Sequence, residues 1–270
     1  MNVIKEKKDI RDEIFKNIQG KTFQANICVN ESGVIVGLDK AIEKSKKIGL
    51  ESYKLVKVGQ EVKKNTLILK VYGTPKKLTI GENYLLGTIG KYSGIATAAK
   101  RAKRLSSNNF KIVCGGWKKM PYSLKTSIRE AINSGGIRPR ISDEPFLYLD
   151  KNYVRMYGGI KNILKAVEKI KRIKVIQIKG EFNKIEKEVI EAATNGVDII
   201  MIDTGKVNDC KIASRVLKEN NLRKNRKIAF GGNIKLKDIP KLKNYDIDII
   251  DIGRAIVDAP ILDLSFDVIQ

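Results

Sequence analysis

The second half of the chain repeats one pattern: a short run of aliphatic residues, a polar turn, then a stretch with helical spacing. Strand-length runs fall at 111–114, 175–178, 198–203, 227–230 and 247–252, with helical text such as 162–173 and 185–194 between them. A tight turn cannot return a strand to a parallel neighbour, so strands alternating with helices predict crossover connections and a parallel sheet, closed or open. Polar residues gather just past these strands, at Lys118, Asp203, Gly231-Gly232-Asn233 and Gly253-Arg254. In an α/β barrel that is the face on which sites are built, and glycine turns after the last strands grip phosphate with free backbone N–H groups.

The first half reads differently. Between 23 and 73 short strands alternate with turns, among them Gly33-Val34-Ile35-Val36-Gly37-Leu38, Lys54-Leu55-Val56-Lys57-Val58 and Thr66-Leu67-Ile68-Leu69-Lys70-Val71-Tyr72. One helix interrupts them over 38–48, where Ala41, Ile42, Ser45 and Ile48 have helical spacing and Gly49 supplies the stop. A connecting helix follows over 82–106, with Gly87, Gly90 and Gly94 expected to line one face and admit another backbone. The reading is a small N-terminal domain of strands and helices with its connecting helix over 1–106 and a parallel-sheet α/β domain, closed or open, over 107–270, the last strand free to pack back on the first domain.

Composition narrows the chemistry. The chain has no histidine, which excludes serine–histidine triads and imidazole-bound zinc and leaves Lys, Arg, Asp and Glu to act. Cys28, Cys114 and Cys210 are too scattered for a disulfide framework or a thiolate metal site. No apolar run approaches the ~20 residues needed to cross a bilayer, so no membrane is expected. Charges at Lys5, Glu6, Lys7 and Lys8 occupy the place of an export signal's apolar core, and a cytoplasmic location is expected. A net charge of +23 points to a polyanionic partner, nucleic acid or a phosphorylated small molecule. Lysines are spread along the whole chain and aromatics are 6% of it, so nucleic acid is not the expected partner.

The run Glu82-Asn83-Tyr84-Leu85-Leu86-Gly87-Thr88-Ile89-Gly90-Lys91-Tyr92-Ser93-Gly94-Ile95-Ala96-Thr97 resembles a helix signature of the quinolinate phosphoribosyltransferase family, also called nicotinate-nucleotide pyrophosphorylases. Gly196-Val197-Asp198-Ile199-Ile200-Met201-Ile202-Asp203 is similar to the family's Gly-Ala-Asp-Ile-Ile-Met-Leu-Asp strand, Gly231-Gly232 to its Ser-Gly-Gly turn, and Ala259-Pro260-Ile261-Leu262-Asp263-Leu264-Ser265 to its tail. The resemblance covers most of the chain. It implies an N-terminal α/β sandwich, a C-terminal α/β barrel, and a homodimer whose active sites borrow a residue from the neighbouring subunit. It implies an enzyme that transfers phosphoribose from magnesium-bound phosphoribosyl pyrophosphate to a pyridine nitrogen.

By that resemblance the donor half is largely kept. Lys118 falls on the lysine of a Thr-Arg-Lys-Thr motif, Asp203 on the strand-end aspartate that holds magnesium or ribose hydroxyls, and Gly231, Gly232 and Gly253 on the phosphate turns, with Asn233 and Arg254 beside them. Lys118 and Asp203 are the implied catalytic pair. The family's strand-end glutamate falls near Lys179, and its Ile-Lys-Asp-Asn-His reads Leu149-Asp150-Lys151-Asn152-Tyr153, so Lys151 stands where an aspartate is expected. The acceptor half has changed. The borrowed arginine becomes Asn83, the Thr-Arg-Lys-Thr arginine becomes Trp117, the histidine of Asn-His-Arg becomes Pro139, and Arg140 remains. Each lost bidentate guanidinium removes charge-assisted bonds of roughly 1.5–3 kcal/mol, so quinolinate is expected to bind poorly. A less anionic heteroaromatic acceptor, stacked on Trp117 or Tyr153, is the expectation. The alternatives are a noncatalytic nucleotide-binding paralogue and a pyrophosphorylase-like protein of the kind associated with molybdate transport.

Overall fold

The computed structural model of the chain describes residues 9–269; the charged run 1–8, read above for export, lies outside the described residues. The chain divides into two compact units, one running to Thr97 and taking in everything from Ala259 onward, the other Ala98–Asp258.

In the first unit, helix α1 (Ile10–Ile14) precedes strand β1 (Phe23–Val29), strand β2 (Gly33–Val34), helix α2 (Leu38–Lys47) and strands β3 (Glu51–Lys54), β4 (Glu61–Val62) and β5 (Leu67–Gly73). The C-terminal strand Leu264–Ile269, β1, β5 and β3 form one sheet in that order, while β2 and β4 pair apart. Its ladders are antiparallel. Ala25, Ile27 and Val29 are fully buried, the two-residue period of a strand with one face on a core. That face packs on Leu38 and Ala41 of α2 and on Leu85 and Ile89 of the long helix α3 (Pro75–Ser106).

Three sequence expectations change here. The strand expected over 33–38 is cut to β2, because Val34 and Val36 donate their N–H groups to Thr97 Oγ1 and Ser93 Oγ of α3, both at 2.9 Å, instead of to a neighbouring strand. The strand expected over 54–58 ends at Lys54; Leu55 still donates to the Ile68 carbonyl, and the chain then turns with the Lys57 N–H on Gln60 Oε1. Of the three helix glycines, Gly90 and Gly94 do admit a backbone: a Cβ on Gly94 would lie 1.9 Å from the Pro260 carbonyl oxygen, and Leu262 donates its N–H to the Gly90 carbonyl at 3.0 Å. Gly87 faces open space.

The second unit carries strand β6 (Lys111–Val113), helix α4 (Lys125–Ser134), strand β7 (Phe146–Leu149), helices α5 (Lys151–Met156) and α6 (Ile160–Ala166), strand β8 (Ile173–Ile178), helix α7 (Ile185–Thr194), strand β9 (Ile199–Ile202), helix α8 (Val207–Glu219), strand β10 (Lys227–Phe230), helix α9 (Ile239–Leu242), strand β11 (Ile249–Asp251) and helix α10 (Arg254–Val257). The strands pair in parallel in the order β6, β11, β10, β9, β8, β7, and a bridge from Val113 to Arg138 extends the β6 edge. The helix expected over 162–173 stops at Ala166, since Ile173 already pairs with Phe146 at the start of β8.

Val113, Val175, Ile199, Met201, Ala229 and Ile249 form one apolar cluster, with Phe146 and Tyr148 packed against it. All six strands thus send side chains to one interior, which a flat sheet cannot do. The sheet is curled into a half-barrel, the α/β architecture anticipated from the strand-then-helix rhythm.

Candidate active site

Side chains of a strand alternate between faces. Beyond Met201, Val175, Tyr148 and Ile249 on the interior face, the next positions of the same parity at the C-terminal strand ends are Asp203, Gln177 and Lys179, Asp150, and Asp251. The interior therefore ends in a polar layer where a barrel builds its sites.

Asp203 is the centre of one half of that layer. Its carboxylate accepts a short hydrogen bond from the Gln177 side-chain amide. The Lys179 ammonium donates to the Asp203 backbone carbonyl at 2.9 Å and lies 3.4 Å from its Oδ2. Gln177 Oε1 in turn accepts the Lys151 N–H at 2.8 Å. One glutamine therefore ties the first turn of α5 to the end of β9. The Asp150 carboxylate is used locally as the N-cap of α5, accepting from the Asn152 and Tyr153 N–H groups. Lys151 and Tyr153 are both exposed on that short helix.

The glycine turns close the other half. The Gly205 N–H donates to the Gly231 carbonyl at 3.0 Å. Gly232 has φ of 103°, and a Cβ there would lie 2.4 Å from the Gly205 nitrogen, so the loops after β9 and β10 touch by backbone alone. A Cβ on Gly231 would lie 3.3 Å from Asp203 Oδ1. Asn233 follows in the left-handed region. A Cβ on Gly116 would likewise lie 2.9 Å from Gly253 Cα. Arg254, just beyond, is exposed and pairs with Asp258.

Beside this contact the Asp251 carboxylate accepts the Gly115 N–H at 2.7 Å. Burial, with the like charge of Asp203, pushes its pKa above the ordinary carboxylate value, although the Gly115 N–H and the Lys118 ammonium oppose that. Lys118 projects its ammonium over the Tyr148 ring, 4.6 Å from the centroid. Burial, then Asp251, Asp203 and Asp150, drives the Tyr148 phenol upward, so it stays a neutral donor. The Cys114 thiol is pushed up to about 12, chiefly by burial, and is no nucleophile.

Trp117 donates its indole N–H to the Pro139 carbonyl at 2.7 Å, and the Arg129 guanidinium sits 5.0 Å from its ring centroid. Arg140 lies over Phe146 at 5.5 Å. Asn83 belongs to the first unit, on α3, where its amide donates to the Thr79 carbonyl. The three glutamates after β8 have other work. Glu181 takes a two-pronged bond from Arg155, Glu186 pairs with Arg215, and buried Glu188 accepts the N–H groups of Gly180, Phe182 and Asn183.

Gln177, Tyr148 and Gly205 went unread as site residues. The first two were findable: each sits two residues from an apolar position on the interior face, Val175 and Phe146. A cleft of about 610 Å³ opens between the ends of β8 and β9 and the starts of α7 and α8, with Lys179 and Asp203 on its wall. It does not reach Lys118, Arg140 or the glycine turns after β10 and β11.

Residues 9–93 match the model of the quinolinate phosphoribosyl transferase N-terminal domain, and residues 95–267 that of its C-terminal domain. A relative in Archaeoglobus fulgidus, named a probable nicotinate-nucleotide pyrophosphorylase (carboxylating), is 26% identical over 216 residues, 79% of this chain and 82% of its own. One of the same name in Methanocaldococcus jannaschii is 25% identical over 258 residues, 93% and 89% of the two chains. The fold is similar to the crystal structure of nicotinate-nucleotide pyrophosphorylase from Ehrlichia chaffeensis, with a TM-score of 0.80 at 19% identity over 98% of this chain and 94% of that one.

Proposed function

The chain belongs to the quinolinate phosphoribosyltransferase family of pentosyl-transferring enzymes, and from that premise we propose that it uses phosphoribosyl pyrophosphate as donor and a heteroaromatic acceptor other than quinolinate. The donor half of the reading is supported by the gathering of Lys118, Asp203, Gly231, Gly232 and Gly253 at one end of one sheet. Backbone N–H groups of the turns after β10 and β11 hold the 5-phosphate, helped by Asn233 and Arg254. Lys118 and Lys151 offset the pyrophosphate's charge as it leaves, and Asp203 holds the ribose hydroxyls.

Magnesium enters this proposal with the donor's pyrophosphate. At the strand ends the Asp203 carboxylate is engaged by Gln177 and Lys179, Asp150 caps α5 and Asp251 accepts the Gly115 N–H. Among the described residues no three His, Cys, Asp or Glu side chains gather to hold a metal. The residues present do not fit a protein-held ion.

The acceptor half rests on one observation, the hydrogen bond from Trp117 to Pro139. An indole and a backbone carbonyl stand where two cationic groups would grip a dicarboxylate, so the pocket suits a flat, less anionic ring near Trp117, with Arg140 as its remaining cation and Tyr153 as a second aromatic wall. A homodimer that presents Asn83 to the neighbouring subunit's site, and a cytoplasmic location, complete the proposal. No helix among the described residues is long and apolar enough to cross a membrane. The test is pyrophosphate release from the donor with quinolinate and with a panel of neutral and monoanionic heteroaromatics. Release with one of the latter, and little with quinolinate, is expected; turnover of quinolinate at a rate typical of the family would refute the altered acceptor.

A further inference from the structure

We infer that Lys179 stands in for a protein-bound divalent cation: its ammonium, fixed beside Asp203, supplies the positive charge that meets the anionic donor, so the chain binds a phosphoribosyl ligand without a metal at its strand ends. This deepens the donor reading above and rests on it for the identity of the ligand.

Three observations carry the inference. Lys179 is held by the chain's own acceptors, 2.9 Å from the Asp203 carbonyl oxygen and 3.4 Å from Oδ2, so its charge is positioned before any ligand arrives. An ammonium has three donors, of which one bonds the Asp203 carbonyl; the side chain is 29% exposed and lies on the wall of the cleft between β8 and β9, so donors are left for a ligand. Second, a divalent cation at Asp203 would need several oxygen ligands, and most of the carboxylates around it already have partners, Asp209 on the cleft wall excepted. Glu181 is bound to Arg155, Glu186 to Arg215, Glu188 to three backbone N–H groups, and Asp251 to the Gly115 N–H. Third, the remaining lone-pair capacity of Asp203 Oδ2 is met by the Gln177 amide. A metal bridging both carboxylate oxygens would have to displace the amide donor from Oδ2 and sit beside a like-charged ammonium.

The test uses the full chain and two probes. In the first arm, Mn2+ alone is titrated and followed by its electron paramagnetic resonance. Wild type is expected to hold no Mn2+ that Asp203→Asn removes. Lys179→Glu, which turns the cation into a second carboxylate, is expected to gain one site, lost again when Asp203→Asn is added. An Asp203-dependent Mn2+ site in wild type, or no site in a Lys179→Glu protein that melts like wild type, overturns the inference. In the second arm, phosphoribosyl pyrophosphate is titrated calorimetrically with magnesium and with a chelator. Wild-type affinity is expected to change by less than about threefold, whereas Lys179→Met, nearly isosteric, loses about tenfold or more in chelator. A tenfold loss by wild type in chelator, about 1.4 kcal/mol, contradicts the inference. No donor binding by any protein in either condition counts against the phosphoribosyl reading, while the Mn2+ arm still decides whether Lys179 excludes a metal.

Discussion

The indole N–H of Trp117 donates to the backbone carbonyl of Pro139 across 2.7 Å, joining the turn after β6 to the segment that extends the same sheet edge. The two positions that the family resemblance assigns to acceptor-binding arginine and histidine are thus bonded to each other here. Trp117→Phe keeps the ring and removes the donor, and should cost about 1 kcal/mol, read as a fall in Tm of roughly 2–4 °C. Trp117→Arg should raise quinolinate affinity about tenfold, the contribution of one charge-assisted contact, measured by calorimetry with the donor present.

Gln177 is the link between Lys151 and Asp203. Gln177→Ala frees both ends and should weaken donor binding about tenfold, as expected for one or two lost hydrogen bonds. Gln177→Glu keeps the shape, loses the amide donor and adds a like charge beside Asp203, so it should bind donor less well than Gln177→Ala. Equal donor affinity in all three proteins would show that the link does not order the site.

What the sequence made legible was what local pattern determines. The β8–α7–β9–α8–β10 alternation, the bounds of α7 and of β10, and the polar strand ends follow from periods of two and 3.6 residues. What it hid depends on partners distant in the chain. Nothing near Val36 announces that Ser93 will satisfy its N–H and end the strand. Lys179 was legible as a departure from a glutamate position, but its bond to Asp203 depends on the parallel pairing of β8 with β9. Asp251 could have been assigned to the interior by counting two residues from Ile249; its contact with Gly115 could not, because that rests on the β6–β11 crossover.

Gly232 has φ of 103° and no room for a Cβ against the Gly205 nitrogen. Gly232→Ala should therefore lose about 1–3 kcal/mol of stability and, with the turn displaced, most of its affinity for inorganic phosphate and for the donor. Gly87→Ala, on an open helix face, should raise stability by about 0.5–1 kcal/mol and serves as the control. Thermal melts with and without phosphate separate the two effects.

Asp251 makes stability depend on pH in a stated direction. Burial, and then the charge of Asp203, raises its folded pKa, so the folded chain holds that proton more tightly than the unfolded chain does. This contribution is fully present below the unfolded value of about 4 and is lost as pH rises through the folded value. Asp251→Asn removes the buried charge, and its side-chain oxygen can still accept the Gly115 N–H. It should melt higher than wild type near about pH 7.5, with the gap closing as pH falls toward about 4. A gap that is constant with pH would assign the difference to packing instead.

The measurement that bears most directly on the central claim, a retained donor site beside a changed acceptor site, is calorimetric titration of the purified protein with phosphoribosyl pyrophosphate and magnesium, followed by quinolinate and then nicotinate in the same cell. The account predicts micromolar donor binding and no heat from quinolinate. Tight quinolinate binding, or no response to the donor at all, would contradict it.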